Sequence, residues 1–370
     1  MKVRKDTKRK KIGIAVFCIV LVGGLVWFFA RDKSADIVGS GAAAGNTGTA
    51  SQTAIPAQAL LASSYYVSQT FNNCGPAALT MDLSFYGVSS TQQQIADDVR
   101  PDNNLTGTDD EKSTSPEALA AEAETFGLTA YYRPNGTIDL LKQFIAAGIP
   151  VVTRALLNTT EDYAHYRVMK GYDDTTGILT EEDGFTGPNV QISYSDFLTL
   201  WKQFNYEYIV LATPSQQNTV ESILGKENDP SVAWADAVST AQQALGQNPN
   251  DTAAEFDLSV ALYHTGDYQQ SVAAYEQVAP SLSERALWYQ IEPIESYYEI
   301  GDYSEVFSLS NGILNDGNPA FPELYLLQGE SYLKQGNTAA AKTAFEQALF
   351  YNKNLASAQQ ALAALGGSGS

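Results

Sequence analysis

A short turn motif recurs at a fixed period in the last third of the 370-residue chain. Gly266-Asp267-Tyr268, Gly301-Asp302-Tyr303 and Gly336-Asn337-Thr338 follow one another at steps of 35 residues. A period of this length is typical of stacked helical hairpins, in which each repeat buries its apolar face against its neighbours. The periodicity therefore predicts an all-α solenoid over residues 228–366.

The residues around these turns carry a resemblance to a known family. The last copy has small or aromatic residues at the preferred positions, namely Tyr325, Gly329, Tyr332, Gly336, Ala341, Phe345 and Ala348. In this pattern the segment resembles the tetratricopeptide repeat. The middle copy is degenerate, and we expect Pro293 to bend or interrupt its first helix. We interpret His264, just before the first turn, as a solvated turn residue. The resemblance implies a groove that binds a partner protein or peptide.

Charge is divided unevenly between the first 33 residues and the rest of the chain. The formal net charge is −20, of which residues 1–33 carry +7 and the remaining residues −27. Because residues 34–370 carry this negative charge, they repel phosphate backbones, and nucleic acid is excluded as a principal ligand.

The N-terminal segment has the pattern of a membrane anchor. Seven basic residues precede an uncharged run from Ile12 to Ala30, and a helix of that length reaches about 28 Å, enough to cross a bilayer core. The basic flank orients the amino end toward the cytoplasm. We predict a single-pass protein of the cell membrane, with a tail and anchor at 1–33, a flexible linker at 34–58 and extracellular domains beyond. A cleaved signal peptide is the alternative.

Cysteine and histidine are scarce enough to restrict the chemistry. The chain has two of each, which excludes a disulfide scaffold and a zinc site built mainly from these residues. Cys18 lies in the apolar run and His264 in the repeats, so Cys74 and His165 are the only such pair left for the exported body.

We expect no metal and no cofactor. The sequence has no Gly-x-x-x-x-Gly-Lys-Ser/Thr phosphate-binding loop. The acidic runs at 109–111 and 181–183 lack the spacing of a calcium loop, and a solvated loop is the interpretation of the first run.

Residues 59–216 alternate between helix-like and strand-like segments. The pattern predicts helices over Cys74–Phe85, Ser115–Phe126 and Ile138–Ala147, each followed by a glycine that ends it. It predicts strands over 150–154, 165–172, 177–180 and 208–212. Helices followed by an antiparallel sheet indicate an α+β domain.

Cys74 begins the first of these helices, where the helix dipole and free N–H groups lower the pKa of a thiol. A nucleophilic thiol needs a proton partner, and His165 begins a predicted strand. If Tyr172 faces Ile178 in the hairpin that follows, Asp183 lies beside His165 and can orient the imidazole. The alternatives are a buried structural cysteine, a strand histidine and a turn aspartate.

Gln69 lies five residues before Cys74, and its amide can join the Cys74 N–H in stabilising a tetrahedral oxyanion; an exposed loop glutamine is the alternative. The segments Gln69–Ala78, His165–Asp173 and Asp183–Asn189 resemble the bacteriocin-processing (double-glycine, C thirty-nine type) peptidase-like family, which has a papain-like fold. The resemblance covers about residues 60–214. It implies that Gln69 is the oxyanion residue, Cys74 the nucleophile, His165 the general base and acid, and Asp183 its orienting partner.

Two features depart from the family pattern. Arg167 and Lys170 interrupt a strand that is usually more apolar, and Gly184 follows Asp183 where a proline is common. The predicted fold is an α+β papain-like cysteine peptidase domain, an all-α tetratricopeptide-repeat solenoid and a single N-terminal transmembrane helix.

We therefore predict a membrane-anchored, extracytoplasmic cysteine peptidase-like hydrolase that cleaves peptide or amide bonds. Its helical repeats would dock a substrate or a partner protein. The alternative is a catalytically inactive peptidase-like protein that serves as a binding or scaffold module of the cell envelope.

Overall fold

The computed structural model describes residues 55–62, 65–101, 114–315 and 317–367. The predicted tail and anchor at 1–33, most of the linker at 34–58 and the acidic run at 109–111 lie outside these residues.

The predicted fold class needs one correction. No helix within the described residues combines the length and the apolar character needed to cross a membrane. Even the longest of them, Pro230–Gln247, has polar side chains along much of its length. The prediction of a single transmembrane helix is therefore wrong as a part of this fold, which consists of the α+β region and the helical repeats.

The first part of the described chain contains both strands and helices. Its elements are β1 (Gln58–Leu60), α1 (Cys74–Phe85), α2 (Gln92–Val99), α3 (Pro116–Thr125), β2 (Thr129–Arg133), α4 (Ile138–Ala146), β3 (Val151–Leu156), β4 (Ala164–Asp173), β5 (Ile178–Asp183), β6 (Gly187–Ser193), α5 (Tyr194–Trp201), β7 (Tyr208–Ala212) and α6 (Gln217–Leu224). The strands form one antiparallel sheet in the order β2-β7-β3-β4-β5-β6, with β1 beside the end of β4.

Helices cover both faces of this sheet. Side chains of successive strand residues point to opposite faces, so Val151 joins the core under α4, α5 and α6 and Val152 the core under α1, α2 and α3. In α1 all residues from Gly75 to Leu83 are buried. It is enclosed because the sheet lies on one side of it and α2 and α3 on the other.

The predicted helices and strands agree with the structure to within a few residues at each end. The helices α2, α5 and α6 and the strands β1, β2 and β6 were not predicted. A signal for α2 was present, because Thr91 and Gln94 form a reciprocal capping box at its start.

The β4–β5 hairpin differs from the predicted register near its turn. Tyr172 faces Leu179 instead of Ile178, and a β-bulge then shifts the pairing by one residue. Beyond the bulge Val168 pairs with Glu182, which is the register predicted for the far end of the hairpin. The bulge therefore restores the alignment on which the histidine–aspartate prediction depends.

Helices alone make up the rest of the described chain. They are α7 (Pro230–Gln247), α8 (Thr252–His264), α9 (Tyr268–Val278), α10 (Ala286–Tyr289), α11 (Glu292–Glu299), α12 (Tyr303–Asn315), α13 (Pro322–Lys334), α14 (Thr338–Tyr351) and α15 (Ala356–Gly367). Pro293 was expected to bend or interrupt a helix, but it occupies the first turn of α11, where a missing N–H costs nothing.

The repeats pack directly against the α+β region, and both belong to one compact unit. The ring of Trp234 on α7 meets Tyr132 of β2 edge-on at 6.2 Å and stacks on His264 at 3.7 Å. The interpretation of His264 as a solvated residue is therefore wrong. It ends α8 where Trp234 covers its ring, and its Nε2 lies 3.5 Å from the Glu292 carboxylate.

Candidate active site

Cys74 is the first residue of α1, and its thiol is half-buried. Pro76 occupies the first turn, where it leaves the helical hydrogen bonds intact. A Cβ added at Gly75 would lie only 3.0 Å from the Leu119 side chain, so glycine lets the start of α1 pack closely on α3. The thiol thus lies at the N-terminal end of a helix that the core holds in place.

The loop before Cys74 is held by Gln92, the first residue of α2. The Gln92 Oε1 accepts hydrogen bonds from the Thr70 N–H at 2.9 Å and from the Asn73 Nδ2 at 3.0 Å. Its Nε2 donates to the Ser68 carbonyl at 2.8 Å. Because these contacts fall on both sides of Gln69, one side chain of α2 sets the conformation of the whole loop.

His165 and Asp183 come together across the β4–β5 hairpin. The Nε2 of His165 lies 2.8 Å from the Asp183 Oδ1, and both side chains are buried. The same Oδ1 accepts hydrogen bonds from the backbone N–H groups of Phe185 and Thr186 at 2.7 and 3.0 Å. The carboxylate is therefore fixed by the turn that follows it, and it leaves Nδ1 of the imidazole for the thiol.

The two basic residues that depart from the family pattern are neutralised inside the sheet. The Arg167 Nε lies 3.1 Å from the Glu181 Oε1 and 3.3 Å from the Asp183 Oδ2. The Lys170 ammonium lies 2.5 Å from Glu182. The acidic residues of β5 thus neutralise the two basic residues of β4. No group of three His, Cys, Asp or Glu residues that could hold a metal ion is found in the described part of the chain.

The electrostatics favour a thiolate–imidazolium pair. Burial raises the pKa of Cys74, but the hydrogen bond and the charge of His165 outweigh it and lower that pKa below its ordinary value. Burial lowers the pKa of His165, whereas its hydrogen bonds to Asp183 and Cys74 raise it, and the net pKa is raised. The pKa of Asp183 is lowered because its hydrogen bond to His165 and the nearby charges of His165 and Arg167 exceed the opposing effect of burial.

Gln69 lies beside the turn that carries Asp183. Its backbone N–H donates to the Gly184 carbonyl at 2.8 Å, and a Cβ added at Gly184 would lie 3.3 Å from the Gln69 Cβ. A glycine at this position therefore lets the two loops approach. The Gln69 side chain lines the same cleft as Cys74, and the Cys74 N–H, at the first helical position, has no acceptor within its own helix.

A cleft of about 500 Å³ opens over the thiol. Gln69, Cys74 and His165 line it, and Asp183 lies behind the imidazole. The structure thus brings all four predicted residues together. Tyr289, at the end of α10, also lines the cleft.

Sequence reasoning missed Gln92, Tyr289 and the pairing of Arg167. The capping box at the start of α2 could have drawn attention to Gln92. The pairing of Arg167 could have been sought in the acidic run of the next strand. No local signal leads to Tyr289, because its contact with the cleft joins segments more than a hundred residues apart.

Two regions of the chain match known families. Residues 60–209 match the model of the Peptidase_C39 like family, and residues 234–286 and 326–368 match the tetratricopeptide repeat. No curated protein matches the chain.

Solved structures resemble each of the two regions separately. A C39-like peptidase from Bacillus anthracis has 16% identity, covers 42% of this chain and 98% of its own, and has a TM-score of 0.36. A double glycine motif protease of an AMS/PCAT transporter, solved with a leader peptide, has 19% identity, coverage of 42% and 94%, and a TM-score of 0.32. A thermophilic tetratricopeptide repeat protein of Thermus thermophilus has 22% identity, coverage of 41% and 82%, and a TM-score of 0.32.

The family matches confirm the resemblance stated from the sequence. The degenerate middle repeat falls in the gap between the two repeat matches. The chain therefore joins a region that matches the Peptidase_C39 like family to a region of tetratricopeptide repeats.

Proposed function

We propose that residues 59–216 form a cysteine peptidase that cleaves peptide bonds through Cys74. The observation that carries the proposal is the chain of contacts from the Cys74 thiol through His165 to Asp183, at the floor of a cleft open to substrate. A buried structural cysteine needs neither an imidazole partner nor a cleft, so the arrangement favours chemistry at the thiol.

The proposed reaction follows from the position of each group. The Cys74 thiolate attacks the carbonyl carbon, and the Cys74 N–H and the Gln69 side-chain amide donate hydrogen bonds to the oxyanion that forms. His165 then gives its proton to the leaving amine, and the C–N bond breaks. A water molecule, deprotonated by His165, releases the acyl group and regenerates the thiol. Asp183 keeps the imidazole oriented throughout.

Turnover of a peptide library and labelling by a thiol-directed acylating probe test this proposal. We expect Cys74→Ala and His165→Ala to abolish turnover. Cys74→Ala should also abolish probe labelling of residues 59–216. Cys18→Ala and His264→Gln are the matched controls, because they remove the other cysteine and the other histidine, and both should retain turnover. Undiminished turnover in Cys74→Ala and His165→Ala would contradict the proposal. A wild type that shows neither turnover nor probe labelling would instead favour the catalytically inactive binding protein.

The repeats support a role in binding a protein or a peptide. The basic residues ahead of the uncharged run 12–30 have the pattern of an export signal, which supports an extracytoplasmic position for the peptidase. Protease added to intact cells tests this position: degradation of the body supports it, and protection until the cells are lysed contradicts it.

A further inference from the structure

Tyr289 of the repeat region is fixed against the α+β region by three groups. Its hydroxyl lies near the backbone of Ala164, the residue before His165. Its carbonyl accepts a hydrogen bond from the Arg154 Nη1 at 3.1 Å, and its ring meets Phe204 at 6.2 Å. Tyr289 is therefore held as a permanent part of the cleft wall.

Arg154 itself is held by a buried ion pair, in which its Nη2 lies 2.5 Å from the Glu207 Oε2. Its guanidinium also lies over the ring of Phe204, 4.9 Å from the ring centroid. The charge that anchors the Tyr289 carbonyl thus belongs to the sheet, because Arg154 lies on β3.

A second cleft of about 330 Å³ continues from the active-site cleft. The two clefts share Glu161 and Tyr289 in their linings. One wall of the second cleft comes from the segment 156–162 of the α+β region, and the other from Thr252, Ala253 and the turn 281–283 of the repeats. The two cavities therefore adjoin at Glu161 and Tyr289, and residues of the repeats line both.

The charges along the second cleft select against acidic ligands. Glu161 and Asp162 line it, and no lysine or arginine is among its lining residues. Asp162 is paired with Arg285 at 3.1 Å, whereas Glu161 accepts only a neutral partner, the Asn158 Nδ2, at 2.8 Å. A neutral or basic peptide segment therefore fits this groove better than an acidic one.

We propose that the repeat region forms one wall of an extended substrate groove, in which a peptide runs from the Cys74 thiol past Tyr289 into the second cleft. The inference rests on the proposed peptidase function and deepens it, because it names the substrate class as an extended, neutral or basic peptide segment. A small amide would fill only the first cleft.

The test fills the second cleft and leaves the active site untouched. Ser283 lines the second cleft and is exposed, and its exposed neighbour Glu284 does not line it. Ser283→Trp should therefore block the groove, and Glu284→Trp is the matched control. The substrates are a long peptide that the wild type cleaves and its truncation to the residues flanking the scissile bond.

We expect Ser283→Trp to raise KM for the long peptide by roughly tenfold or more, which corresponds to about 1.4 kcal/mol of lost binding. KM of Ser283→Trp for the truncated peptide should not change. KM of Glu284→Trp should not change for either peptide. Replacing lysines by glutamates in the distal half of the long peptide should also raise KM in the wild type. An unchanged KM for the long peptide in Ser283→Trp, or an equal rise for both peptides, would overturn the groove.

Failure of the proposed function has a different signature. If the wild type cleaves no member of the peptide library and Cys74 reacts with the probe no faster than an ordinary thiol, the peptidase assignment is wrong, and the substrate groove is wrong with it.

Discussion

Replacing Asp183 by asparagine isolates the charge that orients His165. Asparagine has nearly the shape of aspartate, and its Oδ1 can still accept from the imidazole and from the N–H groups of Phe185 and Thr186 that now bond to Asp183. The substitution therefore removes a negative charge and preserves the local hydrogen bonds. Arg167, 3.3 Å away, keeps Glu181 as its second partner.

The magnitude follows from the distance and the burial. An imidazolium and a carboxylate in hydrogen-bond contact at 2.8 Å have charge centres roughly 4 Å apart, where the attraction is about 4 kcal/mol at an effective dielectric constant of about 20. Arg167 already opposes the imidazolium, so removal of this attraction should lower the His165 pKa.

The measurement is an NMR titration of the imidazole protons in a Cys74→Ala background, which removes the coupled thiol. The chain has only two histidines, so His264→Gln assigns both signals. Asp183→Asn should move the His165 titration to lower pH, because burial and Arg167 both lower its pKa once the carboxylate charge is gone. Glu182→Gln is the matched control, since it removes the neighbouring buried carboxylate, whose partner is Lys170. An unmoved His165 titration in Asp183→Asn would refute the electrostatic argument.

Two further substitutions test the supports of the site. Gln92→Leu removes the hydrogen bonds that hold the loop on both sides of Gln69. We expect kcat to fall by about a hundredfold because catalytic geometry tolerates little displacement. Gln93→Leu is its control, and an unchanged kcat in Gln92→Leu would contradict the role of Gln92 in positioning the loop. Trp234→Ala removes the ring that contacts both the α+β region and the repeats. Denaturant unfolding should show that the free energy of unfolding falls by about 3–5 kcal/mol. A fall below about 1 kcal/mol would show that this contact is not a main source of stability.

Helix ends were the most accurately predicted features. The bounds Cys74–Phe85 agree with the structure because Pro76 and Gly87 restrict the backbone locally. The strands β1, β2 and β6 were missed, since strand formation depends on the neighbours in the sheet more than on the local sequence. The β-bulge in the β4–β5 hairpin was missed for the same reason.

His264 and Tyr289 show where local reasoning ends. The turn motif after His264 suggested a solvated residue, but the ring lies against Trp234, which is thirty residues earlier in the chain. Tyr289 lies in a degenerate repeat with no motif of its own, and its place in the cleft comes from the packing of α10 on β3 and β4.

The sequence by itself determined the helical repeats, the α+β class of the middle region and the candidate residues Gln69, Cys74, His165 and Asp183. Turn residues and hydrophobic periodicity are local signals, and the scarcity of cysteine and histidine leaves few candidates for the chemistry. Only the tertiary structure decided how the repeats sit on the α+β region and complete its cleft. The physical reason is that this interface consists of single side chains, such as Trp234, meeting partners far away in the chain, and each contact exists only after both regions have folded.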